Sequence, residues 1–203
     1  MIDKTKITVN LVNNANWFVL TAFFFALGII APIFFITEDV FLLTELTSGQ
    51  KEILEEMAKE IFEGPPLRGI LLIFFNNFFS SLFVMFLGVI LGIPPLLGLF
   101  SNGALLGFIM TAMSNEEVPV IFFIVLGILP HGIFELPAFF ISAALGLKTG
   151  FHLIFPIKQK TRKESIGYIW KEYWSLFPLV VWLLLLGAVI EIIVTPRLLS
   201  LVL

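Results

Sequence analysis

Long apolar runs separated by short polar segments dominate the chain, and their lengths give the first prediction. A helix needs about 20 mostly apolar residues to cross the roughly 30 Å hydrocarbon core of a bilayer. Several runs approach or exceed that length, and we predict that each forms a transmembrane helix. Their approximate bounds are residues 17–36, 67–93, 96–113, 118–147 and 176–194.

Composition explains why these runs cannot all be buried in a water-soluble core. Hydrophobic residues make up 59% of the chain and charged residues 13%, whereas soluble domains have about 45–50% and 25%. We therefore predict an all-α, polytopic integral membrane helical bundle in the cell membrane, with residues 1–203 as one domain. The chain has no cysteine, which excludes disulfides and thiolate metal sites.

An acidic polar stretch separates the first two runs and contains apolar residues at helical spacing from Ile53 to Phe62. This pattern predicts an amphipathic surface helix at about 48–63. The sequence "GPP" at 64–66 ends it, because proline cannot continue a helix. We expect this acidic helix on the outer side, packed on the bundle or lying at the membrane boundary.

The loop between the fourth and fifth runs is basic, and Lys4 and Lys6 make the N-terminus basic as well. A second amphipathic helix is predicted at about 161–174, begun by the capping-box pair Thr161 and Glu164. With five crossings the two basic segments lie on one side, so the positive-inside rule places the N-terminus in the cytoplasm and the C-terminus outside. Folding the fourth run into a hairpin would move the basic loop outside, and we reject it for that reason.

The fourth run is too long for a simple span, at about 45 Å for residues 118–147 as an unbroken helix. Pro130 and Pro137 each remove a backbone donor, and Gly132 lies between them. The pattern predicts either two helical pieces joined there or one strongly kinked span. Backbone groups freed at a break must be buried against protein or line a polar cavity.

Asparagines in the neighbouring spans are the predicted partners of those polar groups. Asn76 and Asn77 lie deep in the second run and Asn102 lies in the third. Amide side chains form hydrogen bonds between membrane helices. We expect these three to cap broken helix ends or to pair with polar side chains of the fourth span.

Small residues recur every fourth position and predict close helix packing. They include Gly88 and Gly92, Gly103 and Gly107, and Ser142 and Gly146. Such faces also occur in membrane helix dimers, so a homodimer is a further prediction.

His131 and Glu135 are four residues apart in the fourth run, so on a helix they share a face. Ionisable groups inside a membrane are costly and often functional. Three interpretations stay open: a structural hydrogen-bonded pair, a proton or ion relay, and a metal site. The pair supplies two ligands where zinc needs a third or fourth. Glu191, near the outer end of the fifth span, is interpreted as an interfacial anchor.

The sequence runs "NN" at 76–77, "NG" followed by glycine at 102–107, and "LPHGIFELPAFFISAALGLKTG" at 129–150 resemble the stage II sporulation protein M family. The resemblance covers about residues 15–195. It implies an all-helical protein with about five spans and a cytoplasmic N-terminus. It also implies that the asparagines, prolines and His131–Glu135 pair described above are recurrent polar and helix-breaking positions of the family.

In spore-forming bacteria the family's namesake is a membrane scaffold for peptidoglycan-degrading partners, and relatives occur in organisms with neither spores nor peptidoglycan. We therefore expect a non-enzymatic scaffold whose partners are the lipid bilayer, a second copy, and other membrane or extracytoplasmic proteins. The alternative is a small transporter or permease component that moves a proton, ion or small solute through a His131–Glu135 site. No nucleophile–base pair, H-E-x-x-H motif or phosphate loop is present. We expect no enzymatic activity, no cofactor and no nucleic-acid partner.

Overall fold

The computed structural model describes residues 4–35, 62, 64–113 and 120–201, and all regular structure among these residues is helical. The acidic helix predicted at about 48–63 lies almost entirely outside them. A short 3-10 turn, Leu87–Val89, follows the third helix. The helices are α1 (Lys4–Asn13), α2 (Ala15–Phe35), α3 (Pro66–Phe86), α4 (Ile93–Met113), α5 (Val120–Ile154), α6 (Arg162–Ile193) and α7 (Thr195–Leu199).

Five of these helices, α2 to α6, are long and apolar enough to cross a membrane. The prediction of an all-α bundle with five membrane helices is therefore confirmed. The helix α2 packs along α4, α5 packs along α6, and α3 packs against both α5 and α6. Large apolar side chains point outward, such as Phe79 and Phe83 of α3 at 60% and 64% exposure. Such a surface is stable only where the solvent is lipid.

The helix α5 is continuous but changes its hydrogen-bonding pattern near the start. One turn of α-helix, Val120–Phe122, leads into a π-helical segment, Phe123–Ile128, and then into the α-helix Leu129–Ile154. The π-helical segment packs against α7. π-Helical turns are rare and are often found at functional sites.

Of the two alternatives predicted for Pro130, Gly132 and Pro137, the division into two helical pieces has to be corrected, because the backbone stays helical through all three residues; the single kinked span stays a prediction. Pro130 lies in the first turn of Leu129–Ile154, directly after the π-helical segment. Its missing N–H costs little there because the regular i−4 ladder is already interrupted. Pro137 lies inside the helix. The irregularity therefore precedes the prolines, and the backbone is not divided into two helical pieces.

The helix α6 joins two predicted elements, the amphipathic helix at 161–174 and the fifth span, into one helix of 32 residues. The predicted capping box at its start is confirmed. The Glu164 N–H donates to Thr161 Oγ1 at 3.3 Å, and the Thr161 N–H donates to Glu164 Oε2 at 2.7 Å. The basic end of this helix thus continues directly into the membrane.

Glycines lie where helix backbones cross. A Cβ added at Gly88 would overlap the backbone of Gly146, and one added at Gly103 would lie 3.1 Å from the Cα of Gly28. Gly92, with φ of +72°, forms the left-handed turn between α3 and α4 and contacts Gly150. The glycines among the positions predicted to pack helices therefore contact other helices of the same chain, and the homodimer stays a prediction.

Candidate functional site

Polar side chains from three helices converge near the start of α5. His131 and Glu135 lie one turn apart on α5, and α6 runs antiparallel beside them. On that side Gly187 and Glu191 of α6 and Thr195 of α7 follow one another at intervals of four residues. His131, Glu135 and Glu191 each offer a ligand atom, and these atoms all lie within 4.8 Å of one another. We call these three residues the His–Glu–Glu cluster.

Two members of the cluster have a specific neighbour opposite them, His131 on α7 and Glu135 on α6. The ring Nδ1 of His131 lies 3.4 Å from Thr195 Oγ1. The Cβ position of Gly187 lies 2.9 Å from Glu135 Oε1 and 3.0 Å from its Cδ. Glycine at 187 therefore leaves the space that the Glu135 carboxylate occupies, and any larger residue there would displace it.

Glu135 is incompletely satisfied. Its Oε1 is buried and has no hydrogen-bond partner among the described residues. Neither Glu135 nor Glu191 forms an ion pair with a described basic side chain. Among the described residues, two carboxylates and one imidazole thus meet in the membrane, an arrangement suited to hold a proton or a metal ion between them.

A polar groove adjoins the cluster through Glu135. It has a volume of about 130 Å³. Its walls are α3 and α4, which touch each other only slightly, and its floor is formed by α5 and α6. The lining residues are Asn76, Asn77, Ser80, Ser81, Asn102, Glu135, Leu136, Phe139 and Leu184.

The three predicted asparagines line this groove but do not cap helix ends in the other spans. Asn102 Nδ2 donates to the carbonyl of Gly98 in its own helix at 2.8 Å. Asn76 Nδ2 donates to Asn77 Oδ1 at 3.4 Å. Asn76 and Asn102 are exposed, so they face outward near the middle of their helices. The structure brings the asparagines together with Glu135, whereas His131 contacts Thr195 on the other side.

The sequence analysis missed Glu191, which it had interpreted as an interfacial anchor. The structure places its side chain beside His131 and Glu135. A usable pattern was present in the run Gly187, Glu191, Thr195, which puts a small residue, an acid and a hydroxyl on one face of a helix. Which face of α5 that run meets could not be known from the sequence.

A second buried polar group lies at the other end of α5. Lys148 Nζ donates to Glu172 Oε2 at 2.6 Å and to Asn14 Oδ1 at 2.9 Å. The side chains of Lys148 and Glu172 are only 8% and 3% exposed, and Asn14 is fully buried. Both residues fall in or beside the basic segment between the fourth and fifth runs, where nothing in the sequence indicated that they are buried. They connect α5, α6 and the junction of α1 with α2.

Comparison with known proteins identifies the family. The sequence profile described as stage II sporulation protein M matches residues 21–196. The chain belongs to the stage II sporulation protein M family. The match includes the His–Glu–Glu cluster, Thr195 and the whole polar groove. The resemblance of the "PHG" and asparagine runs to this family is therefore confirmed.

One relative is a protein of Methanocaldococcus jannaschii. The chain is 30% identical to uncharacterized protein MJ0793 of Methanocaldococcus jannaschii over 123 residues, which cover 60% of this chain and 68% of the relative. No solved structure matches the chain. Family membership and five apolar helices together make this a multi-pass membrane protein.

Proposed function

We propose that this protein is a non-enzymatic scaffold that gathers membrane helices of other proteins, or of a second copy, in the polar groove between α3 and α4. The observation that supports the proposal is the outward-facing position of Asn76 and Asn102 in the middle of two membrane helices. Polar groups at that depth meet no water, so a lipid-facing amide loses hydrogen bonds that a neighbouring helix could supply.

The groove is suited to receive a helix because its walls are already separated. The helices α3 and α4 contact each other only slightly and both pack on other helices, and residues of both line the groove. Interhelical hydrogen bonds of this kind contribute about 0.6–2 kcal/mol each. Two or three would give a weak, specific attachment, consistent with assembly and exchange of partners.

The scaffold proposal is tested by replacing the amides. In Asn76→Leu and Asn102→Leu, partner proteins or second copies that co-purify from native membranes should be lost, while the thermal stability of the chain stays the same or rises. Phe83→Leu, which changes an outward side chain of the same helix away from the groove, is the matched control. Unchanged co-purification in both asparagine variants would refute the proposal.

A second copy in the groove can be tested directly, because the chain has no cysteine of its own. Asn102→Cys should form a disulfide-linked dimer in native membranes if two copies meet there. If only monomer forms while other partners still co-purify, the groove serves other proteins and the homodimer is excluded at this face.

The His–Glu–Glu cluster favours a second function, movement of a proton or small cation as a transporter or permease component. Transport pathways in membranes commonly pass through such carboxylate and histidine groups. In proteoliposomes, Glu135→Gln should abolish a pH-driven cation or proton flux while the protein remains folded. Flux through the unaltered protein no greater than that of empty liposomes, or undiminished flux in Glu135→Gln, would leave the scaffold as the better proposal.

A further inference from the structure

The His–Glu–Glu cluster has the composition and spacing of a metal site. The sequence alone offered only two of its ligands, and the family description does not assign a metal. We propose that His131, Glu135 and Glu191 bind one divalent first-row metal ion, of the Zn²⁺ or Mn²⁺ class, between α5 and α6. This inference concerns what the cluster holds. It depends neither on the scaffold proposal nor on whether a bound ion moves.

The spacing is close to that of a three-ligand site. The three ligand atoms lie within 4.8 Å of one another. A metal ion bonded at about 2.1 Å to each of three ligands in tetrahedral geometry holds them about 3.4 Å apart. The present separations therefore exceed that value by about 1.4 Å at most (4.8 Å against 3.4 Å).

The charge of the cluster calls for a cation. When ionised, the two carboxylates and a neutral imidazole would together carry two negative charges, which one divalent ion would neutralise. Glu135 Oε1 is buried and lacks a hydrogen-bond partner among the described residues. Metal coordination would satisfy that atom. Imidazole with carboxylates suits Zn²⁺, Mn²⁺ and Fe²⁺, whereas Ca²⁺ takes six to eight oxygen ligands.

Neighbouring residues provide what a metal site needs beyond its ligands. A metal-bound histidine almost always uses its second ring nitrogen in a hydrogen bond that fixes the ring. Thr195 Oγ1, 3.4 Å from His131 Nδ1, is placed to do this and leaves Nε2 for the metal. Gly187 leaves room for the Glu135 carboxylate.

The test uses the full chain, purified in detergent and freed of metal with a chelator. Addition of ZnCl₂ or MnCl₂ alone should load about one equivalent per chain, measured by mass spectrometry of the metal after gel filtration. At a hundredfold excess over Kd, the unfolding temperature should rise by roughly 5–10 °C. Glu135→Gln and Glu191→Gln, which keep the side-chain shape, should each abolish stoichiometric loading.

Further variants distinguish the metal ligands from residues that do not bind the metal. His152→Gln changes the other histidine, which contacts the Phe155 carbonyl, and should leave loading unchanged. Thr195→Val should weaken metal binding by about 10–100-fold with little change in the stability of the metal-free protein, and Thr195→Ser should restore it. Failure of both metals to load would overturn the proposal, as would loading that persists in Glu191→Gln or disappears in His152→Gln.

Discussion

The buried contact between Lys148 and Glu172 should be one of the most sensitive points of the bundle. The two charges are 2.6 Å apart and their side chains are 8% and 3% exposed, so little water screens them. Lys148→Met would leave the Glu172 carboxylate buried without its cation and would also remove the donor to Asn14. Removing one partner of a buried ion pair lowers the free energy of unfolding by about 3–5 kcal/mol.

The cost should show as a lower unfolding temperature. For a chain of this size, 1 kcal/mol shifts the midpoint by about 2–4 °C, so Lys148→Met should lower it by roughly 6–20 °C. The measurement is tryptophan fluorescence of the purified protein during heating, since the chain has four tryptophans. Lys158→Met, at an exposed position of the same basic loop, should change the midpoint by no more than about 2 °C.

A double variant tests the cause. Lys148→Met combined with Glu172→Leu removes both charges, and replacing a buried ion pair by apolar side chains is often neutral. The double variant should therefore recover most of the stability that Lys148→Met loses. The reasoning would be refuted if Lys148→Met cost less than about 1 kcal/mol, or if the second substitution lowered stability further.

Three further predictions concern packing, capping and orientation. Gly88→Ala should destabilise the bundle because the added Cβ overlaps the Gly146 backbone, whereas Gly167→Ala, with open space around it, should stabilise α6 by about 1 kcal/mol; thermal unfolding of both variants checks this. Thr161→Ala should cost about 1 kcal/mol through loss of the N-cap, and a cost near zero in the same assay would contradict that role. A cysteine at the predicted cytoplasmic side, Lys163→Cys, should react with a membrane-impermeant maleimide only after the cells are permeabilised. A cysteine at the predicted outer side, Ser200→Cys, should react in intact cells. The reverse pattern would show that the predicted topology is inverted.

A structural feature could be predicted from the sequence when residues close together in the chain determine it. Span lengths and the Thr161–Glu164 capping box follow from neighbouring residues, and both were predicted. Pro130 was misinterpreted because its cost depends on the backbone before it, and no residue pattern marks the π-helical segment. Glu191 and Glu172 were missed because their partners lie on other helices. Only the antiparallel packing of α5 on α6 brings them together.

The π-helical segment Phe123–Ile128 has a consequence for how this helix tolerates insertions and deletions. Each residue of an α-helix turns the chain by about 100°, so deleting one residue elsewhere in α5 would rotate one half of the helix against the other and move its polar face away from α6. A π-helical turn accommodates one residue more than an α-helical turn. Loss of one residue within Phe123–Ile128 can therefore close the turn to ordinary α-helix while His131 and Glu135 keep facing Glu191. Length changes in this span should be found there in related chains.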